Sequence, residues 1–324
     1  WNYGYGDTYW KDQLTSWGSY GTNSFDYDSS GNPTKYKGST LTWEGKRPVK
    51  YAESDTKYTD LSYDGNGLLT GIMQVQNYVI WGGAIAANVY SREMTRDGDR
   101  ILSEKVTNID GTLLTNEVKN IKYCYDADGI CGMFVDGNQY FFRRNIFGDV
   151  TEIYDKNGVK KAEYAYDAWG TCYLMLDTDG VGSLNPFRYR GYYMVSCIGL
   201  YYLTTRFYDY TTGRFINADV PSICFDDGLT VPEGCNLYSY CRNNPISYVD
   251  PTGHFALIIG ILLMTTMIGG TIGGIVSHSN GKSGWGLVGD IILGAMIGLA
   301  AGGLIIATIG AIAYGIFGAT TTVL

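Results

Sequence analysis

The chain of 324 residues is long enough for one large domain or two ordinary ones, and its formal net charge is −8. This acidity argues against duplex nucleic acid as a partner, because proteins that bind it cluster Lys and Arg on one surface. With only two histidines, His254 and His278, the chain lacks the residues for a multi-histidine metal site or a Ser-His-Asp triad. The seven cysteines form no CxxC pair, and we predict no metal or other cofactor.

Residues 1–250 have the pattern of consecutive β-hairpins. The sequence Tyr-Asp-x-x-Gly occurs five times, and in each copy Tyr ends a strand, Asp caps the turn and Gly supplies a positive φ. Irregular spacing between the copies excludes a propeller of equal blades and favours hairpins stacked into one curved sheet. The five copies begin at Tyr27, Tyr63, Tyr125, Tyr154 and Tyr166.

The C-terminal 67 residues, 258–324, contain only two charged side chains, Lys282 and Asp290. The apolar segments 256–278 and 287–318 are each long enough for a helix that spans a bilayer. Glycines recur at four-residue spacing in both segments, which clears one helix face for close packing against another helix. We therefore predict a helical hairpin with a glycine zipper and a connecting turn at Lys282.

Three functions are compatible with this tail. It can insert into or cross a membrane as part of a toxin, which we favour, or form an apolar cargo enclosed by the β region, or serve as a permanent anchor. No part of it resembles a nuclease, deaminase or ADP-ribosyl transferase, so an enzymatic payload is expected downstream of Leu324 or is missing. Because the chain begins at Trp1 within strand-like sequence, we interpret it as a fragment of a longer polypeptide.

A series of specific motifs follows the first hairpins. In order they are Asn145-Ile-Phe-Gly-Asp-Val150, Tyr166-Asp-Ala-Trp-Gly170, Asn185-Pro-Phe-Arg-Tyr-Arg-Gly-Tyr-Tyr193, Gly199-Leu-Tyr-Tyr202, Arg206-Phe-Tyr-Asp209, Gly213-Arg-Phe-Ile-Asn-Ala-Asp219 and Asn243-Asn-Pro245. Together with the Tyr-Asp repeats, they resemble the rearrangement hotspot (Rhs) or YD-repeat family and its repeat-associated core. The resemblance covers residues 20–257.

This resemblance implies a mainly β fold in which a hollow β-shell, closed by a core plug, encloses a C-terminal toxic segment. It divides the chain into YD-repeat hairpins at 1–140, the repeat-associated core at 141–257 and the all-α hydrophobic tail at 258–324. One departure concerns the segment 192–199, where the Asp and Thr of the family's usual turn are absent. We expect an altered turn there, and a decayed copy of the gene would also explain the change.

The resemblance also implies that the chain cleaves itself between Leu257 and Ile258. In the family this is aspartyl protease chemistry, in which one carboxylate activates water and the other donates a proton. The two matching motifs are Gly213-Arg-Phe-Ile-Asn-Ala-Asp219 and Asp250-Pro-Thr-Gly253. They supply Asp219 and Asp250, and Arg214 is the candidate that orients one of them.

Other residues compete for these roles. Asp226 and Asp227 lie between the two motifs, so either of them can replace a member of the pair. The simpler alternative is that Asp219 caps a turn and that Asp250, before Pro251, initiates one.

The sequence as a whole predicts a secreted or cell-surface fragment of an Rhs-type polymorphic toxin with a membrane-associated tail. Its partners would be a membrane through residues 258–324, its own C-terminal segment as cargo and an immunity protein. The alternative is a surface-anchored YD-repeat protein that binds carbohydrate through its 29 Tyr and seven Trp, although cross-strand tyrosine pairs explain that composition equally well. Cleavage after Leu257 would favour the toxin fragment. Glycan binding by an intact chain would favour the carbohydrate-binding protein.

Overall fold

The computed structural model describes residues 2–19, 23–79, 83–111, 113–219 and 236–250, together with 253, 257–258 and scattered positions from 272 to 297. Within these residues, sixteen antiparallel strands form one sheet in which each strand pairs with its neighbours in sequence. The strands are β1 (Asn2–Gly4), β2 (Ser16–Gly18), β3 (Asn23–Tyr27), β4 (Pro33–Tyr36), β5 (Ser39–Glu44), β6 (Arg47–Ser54), β7 (Lys57–Tyr63), β8 (Leu69–Val79), β9 (Ile85–Asp97), β10 (Arg100–Asp110), β11 (Thr115–Asp126), β12 (Gly129–Val135), β13 (Asn138–Arg144), β14 (Val150–Asp155), β15 (Lys160–Tyr166) and β16 (Cys172–Asp177). This arrangement confirms the mainly β fold.

The repeated Tyr-Asp-x-x-Gly sequence forms the predicted hairpin turns. At Asp64, one carboxylate oxygen accepts hydrogen bonds from the backbone N–H groups of Asn66 and Leu68, both at 2.9 Å. The N–H of Gly67 bonds to the carbonyl oxygen of Asp64 at 2.9 Å, and Gly67 has a φ of +81°. The same side-chain bonding recurs at Asp28, Asp155 and Asp167, and Asn145 adopts it with an amide oxygen.

Four of the five repeat tyrosines connect their hairpin to an earlier part of the chain, whereas Tyr154 donates to Glu152 in its own strand. Four of their hydroxyl groups donate hydrogen bonds to backbone carbonyl oxygens earlier in the chain. The bonds join Tyr27 to Leu14 (3.0 Å), Tyr63 to Pro48 (2.8 Å), Tyr125 to Ile101 (2.9 Å) and Tyr166 to Val150 (2.7 Å). A phenylalanine would fill the same space but would leave the carbonyl oxygen without this donor, so tyrosine is the residue that the repeat requires.

Residues 181–219 and 236–243, which we call the core segment, follow β16. The core segment begins with the short helix α1 (Val181–Leu184) and contains a four-stranded antiparallel sheet packed with tyrosines. The strands of this second sheet are β17 (Tyr193–Val195), β18 (Leu200–Tyr202), β19 (Phe207–Asp209) and β20 (Arg214–Phe215).

The core segment packs against turns at one end of the large sheet. Successive turns of an antiparallel sheet alternate between its two ends, so the turns after β3, β7, β13 and β15 lie at the same end. At these turns Tyr238 donates to the carbonyl oxygen of Gly31 (2.9 Å), Tyr202 accepts from Leu69 (3.0 Å), Arg190 donates its backbone N–H to Asp149 (2.7 Å) and Tyr189 donates to Ala168 (2.8 Å). The row of hairpin turns is therefore the platform for the core segment.

A buried ion pair within the sheet also accepts a hydrogen bond from the core segment. Arg92 on β9 donates to Glu104 on β10 at 2.5 Å, and both side chains are buried. Glu104 also accepts hydrogen bonds from Tyr123 on β11 (2.7 Å) and from Tyr193 of the core segment (2.6 Å). Burial, followed by the negative charge of Glu104, raises the pKa of Tyr123 and Tyr193 well above the usual value, so both hydroxyls keep their protons and remain donors.

The chain divides into two compact units, one of residues 1–243 with 251–255 and one of residues 244–250 with 256–324. In the second unit, β21 (Tyr248–Val249) pairs with β22 (Leu257–Ile258).

The predicted tail helices are only partly within the described residues. Helical residues occur at 272, 275–277, 279, 286–288, 290–294 and 296–297. The glycines of the predicted zipper, apart from Gly294, lie outside the described residues. Among the positions that the structure describes, we find no helix whose length and apolar character would let it span a bilayer.

Candidate functional site

The first predicted catalytic carboxylate, Asp219, is buried in the core segment a few residues after β20. Its side chain is only 7% exposed, and Arg206 donates to one of its oxygens at 2.7 Å. The backbone N–H of Asp219 donates to the carbonyl oxygen of Leu237 at 3.0 Å. A hydrogen bond from an ionised donor to a carboxylate is short and directional, so Arg206 fixes the orientation of this carboxylate.

Arg206 contacts three separate segments of the chain through one planar guanidinium group. Besides Asp219, it donates to the carbonyl oxygen of Leu237 at 3.0 Å and to the carbonyl oxygen of Gly253. The group lies over the ring of Phe215, with its central carbon 3.6 Å from the ring centre. Gly253 is the last residue of the Asp250-Pro-Thr-Gly253 motif and lies in the same unit as Arg206 and Asp219.

Arg214, the orienting residue expected from the sequence, lies in a different network. Its guanidinium donates to the hydroxyl of Tyr5 (2.8 Å), the carbonyl oxygen of Asp12 (2.7 Å) and the side-chain oxygen of Asn236 (3.1 Å). Asp219 is instead paired with Arg206, which the sequence analysis did not select. Arg206 is the first residue of the motif Arg206-Phe-Tyr-Asp209, but its position in the sequence does not predict a contact with Asp219.

The second predicted carboxylate, Asp250, is 2% exposed and directly follows β21 in the second unit. The predicted scissile bond lies in β22, where Leu257 is paired with Val249 and Ile258 with Tyr248 in antiparallel register. The backbone on both sides of this bond is therefore extended and held beside the two residues that precede Asp250. Extended backbone added to a neighbouring strand is also how many proteins bind peptides. Asp226 and Asp227 lie outside the described residues.

The chain is similar in sequence to several large proteins, although no family model matches it. It is 30% identical over 240 residues to the tRNA3(Ser)-specific nuclease WapA of Bacillus spizizenii and 30% identical over 239 residues to the tRNA nuclease WapA of Bacillus subtilis strain 168. Each match covers 73% of this chain but 9% of the relative. A shorter match, 41% identical over 68 residues, covers 21% of this chain and 4% of the double-stranded DNA deaminase toxin A of Burkholderia cenocepacia.

The fold resembles that of a solved toxin complex. The structure aligns with a crystallised TcdB2-TccC3-TEV chain with a TM-score of 0.57 and 20% sequence identity, over 70% of this chain and 11% of that chain. The alignment supports the shared fold, and each WapA match covers 73% of this chain. On these grounds, the chain belongs to the Rhs/YD-repeat family.

Proposed function

We propose that this chain is the carrier part of an Rhs-type toxin and that it releases its C-terminal segment by cleaving itself between Leu257 and Ile258. The observation that supports the proposal is the contact of Arg206 with both Asp219 and Gly253, because one guanidinium binds the carboxylate of the first motif and the final glycine of the second. The extended backbone at Leu257 and Ile258 supports it, since proteases bind the bond that they cut in an extended conformation.

The relatives support a carrier role rather than a particular toxic activity. This chain is similar to proteins named as tRNA nucleases and to one named as a DNA deaminase toxin, and these names describe different chemistry. The part that they share with this chain is a small fraction of their length, so the shared segment fits a common carrier function. An immunity protein would then recognise the variable toxic segment rather than the β region.

The proposed reaction assigns complementary roles to Asp219 and Asp250. One carboxylate removes a proton from water as the water oxygen attacks the carbonyl carbon of Leu257. The other, protonated at the start, donates its proton to the amide nitrogen of Ile258 as the carbon–nitrogen bond breaks. The products are a new carboxyl terminus at Leu257 and a new amino terminus at Ile258, and each event consumes one water molecule.

Intact-mass analysis of the purified full chain tests the reaction. We expect two fragments that separate at Leu257, and a single intact chain for Asp219→Asn and for Asp250→Asn. Asp64→Asn is the matched control, because Asn145 shows that an asparagine can make the same turn bonds, and it should cleave like the unmodified chain. Cleavage that continues in both site variants, or an unmodified chain that never splits, would refute the proposed function.

We further propose that the released tail acts at a membrane. The support is its composition, since residues 291–324 contain no charged side chain. The test is leakage of a dye from phosphatidylcholine vesicles on addition of the full chain. Gly298→Leu should reduce leakage by preventing close approach of the helices, whereas the same substitution at Gly158, in the turn between β14 and β15, should not. Vesicles that stay sealed would favour an enclosed cargo instead.

A further inference from the structure

The turn that precedes β19 contacts the cleavage motif closely. Residues 203–206 form this turn, and Gly253 lies against it within the same unit. A Cβ atom added to Gly253 would be 2.7 Å from Oγ1 of Thr205 and 3.0 Å from the carbonyl oxygen of Leu203. The first distance is too short for any real contact, and the second involves backbone that cannot move aside without disturbing the turn.

Two further properties make Gly253 special. Its φ is +85°, a conformation that costs little for glycine but is strained for residues with a side chain. Its carbonyl oxygen accepts a hydrogen bond from Arg206, whose guanidinium is held in place by Asp219 and by stacking on Phe215. Shape and backbone conformation therefore favour glycine at this position, and the hydrogen bond from Arg206 holds its backbone against the turn.

We propose that residues 203–206 form a specificity subsite that recognises the glycine four residues before the scissile bond. We call it the glycine subsite; the inference rests on the proposed self-cleavage and names how the reaction selects its substrate. Because only three residues lie between Gly253 and Leu257, seating the glycine limits how far from the turn the bond after Leu257 can lie. The subsite thus acts through positioning, and its residues take no part in the chemical step.

The decisive comparison is between two glycines with the same backbone conformation. Gly38 has a φ of +86° and open space where a Cβ would be added, so Gly38→Ala introduces the backbone strain without a clash. Gly253→Ala introduces both. We expect Gly253→Ala to slow appearance of the fragments about ten- to hundredfold, because overpacking at the subsite opposes seating of the motif, and Gly38→Ala to leave the rate unchanged.

A second substitution tests the mechanism of the effect. Thr205→Ala removes the oxygen nearest to the added Cβ, so it should restore part of the rate in the Gly253→Ala background. The glycine subsite would be overturned if Gly253→Ala and Gly38→Ala produced fragments at the same rate. It would also be overturned if adding Thr205→Ala to Gly253→Ala did not increase the cleavage rate.

The subsite and the self-cleavage can fail separately. If the unmodified chain never splits, the proposed reaction is refuted, and hydrogen exchange at residues 253–255 then decides on the subsite. In that case Gly253→Ala should accelerate exchange there relative to Gly38→Ala if the glycine seats in the turn. Equal exchange in the two variants would overturn the subsite as well.

Discussion

Glu104 is the residue whose substitution most directly tests how the core segment is attached to the sheet. Its carboxylate is fully buried and accepts bonds from Arg92 (2.5 Å), Tyr123 (2.7 Å) and Tyr193 (2.6 Å). Glu104→Gln preserves the shape of the side chain but leaves the buried charge of Arg92 without its counter-charge. Breaking a buried ion pair from one side costs about 3–5 kcal/mol, against a total stability of roughly 5–15 kcal/mol for ordinary proteins.

Urea unfolding of the purified chain, followed by tyrosine and tryptophan fluorescence, measures this cost. The matched control is Glu163→Gln, which removes a partly exposed ion pair with Lys160 and should cost at most about 1 kcal/mol. If the buried charge is the cause, replacing Arg92 and Glu104 together with leucine should cost less than the sum of the single changes. If Glu104→Gln lowers the free energy of unfolding no more than Glu163→Gln does, the reasoning is refuted.

Three other predictions concern the turns and the contacts of the core segment. Gly170→Ala should lower the free energy of unfolding by about 1–3 kcal/mol more than Gly158→Ala, because an added Cβ clashes with a buried tyrosine ring only at Gly170. Tyr63→Phe should cost about 1 kcal/mol in urea unfolding, since it deletes one hydrogen bond between hairpins. Burial disfavours the charged form of Asp209, but Lys37 and neighbouring hydroxyls outweigh it and lower the pKa of this carboxyl. The ionised carboxylate therefore stabilises the fold above pH about 4, and this contribution should disappear as the pH falls further. In Asp209→Asn, the free energy of unfolding should therefore depend less on pH in this acidic range.

The turns could be predicted from the sequence because their chemistry is local. Asp64 bonds to amides two and four residues later, and the glycine three residues later supplies the positive φ. All the determinants lie within five residues, so the pattern alone identifies the hairpin. Asn145 shows the limit of the pattern, since its turn has the same bonds without the Tyr-Asp signature.

The partner of Asp219 could not be predicted, because it depends on contacts between distant segments. Arg214 is five residues from Asp219 in sequence, but its guanidinium faces Tyr5, Asp12 and Asn236. Arg206 is thirteen residues away and reaches Asp219 because the chain folds back between β19 and β20. A sequence shows how far apart two residues are along the chain. Their distance in space is known only when the pairing of the strands is known.

The buried ion pairs explain how a core segment made largely of tyrosine and apolar residues finds one position on a row of similar turns. Hydrophobic burial is non-directional, and a shift by one hairpin would cover much the same area. Lys37 lies in the turn between β4 and β5, at the opposite end of the sheet from that row. It pairs with the fully buried Asp209 of the core segment, and Tyr36 donates to the same carboxylate at 2.7 Å. In any shifted position that carboxylate would be buried without its cation, which costs several kcal/mol. We infer that such pairs contribute more to the register of the core segment than to its affinity for the sheet. The Asp209→Asn variant tests this inference, because a neutral side chain removes the free-energy penalty for a shift in register.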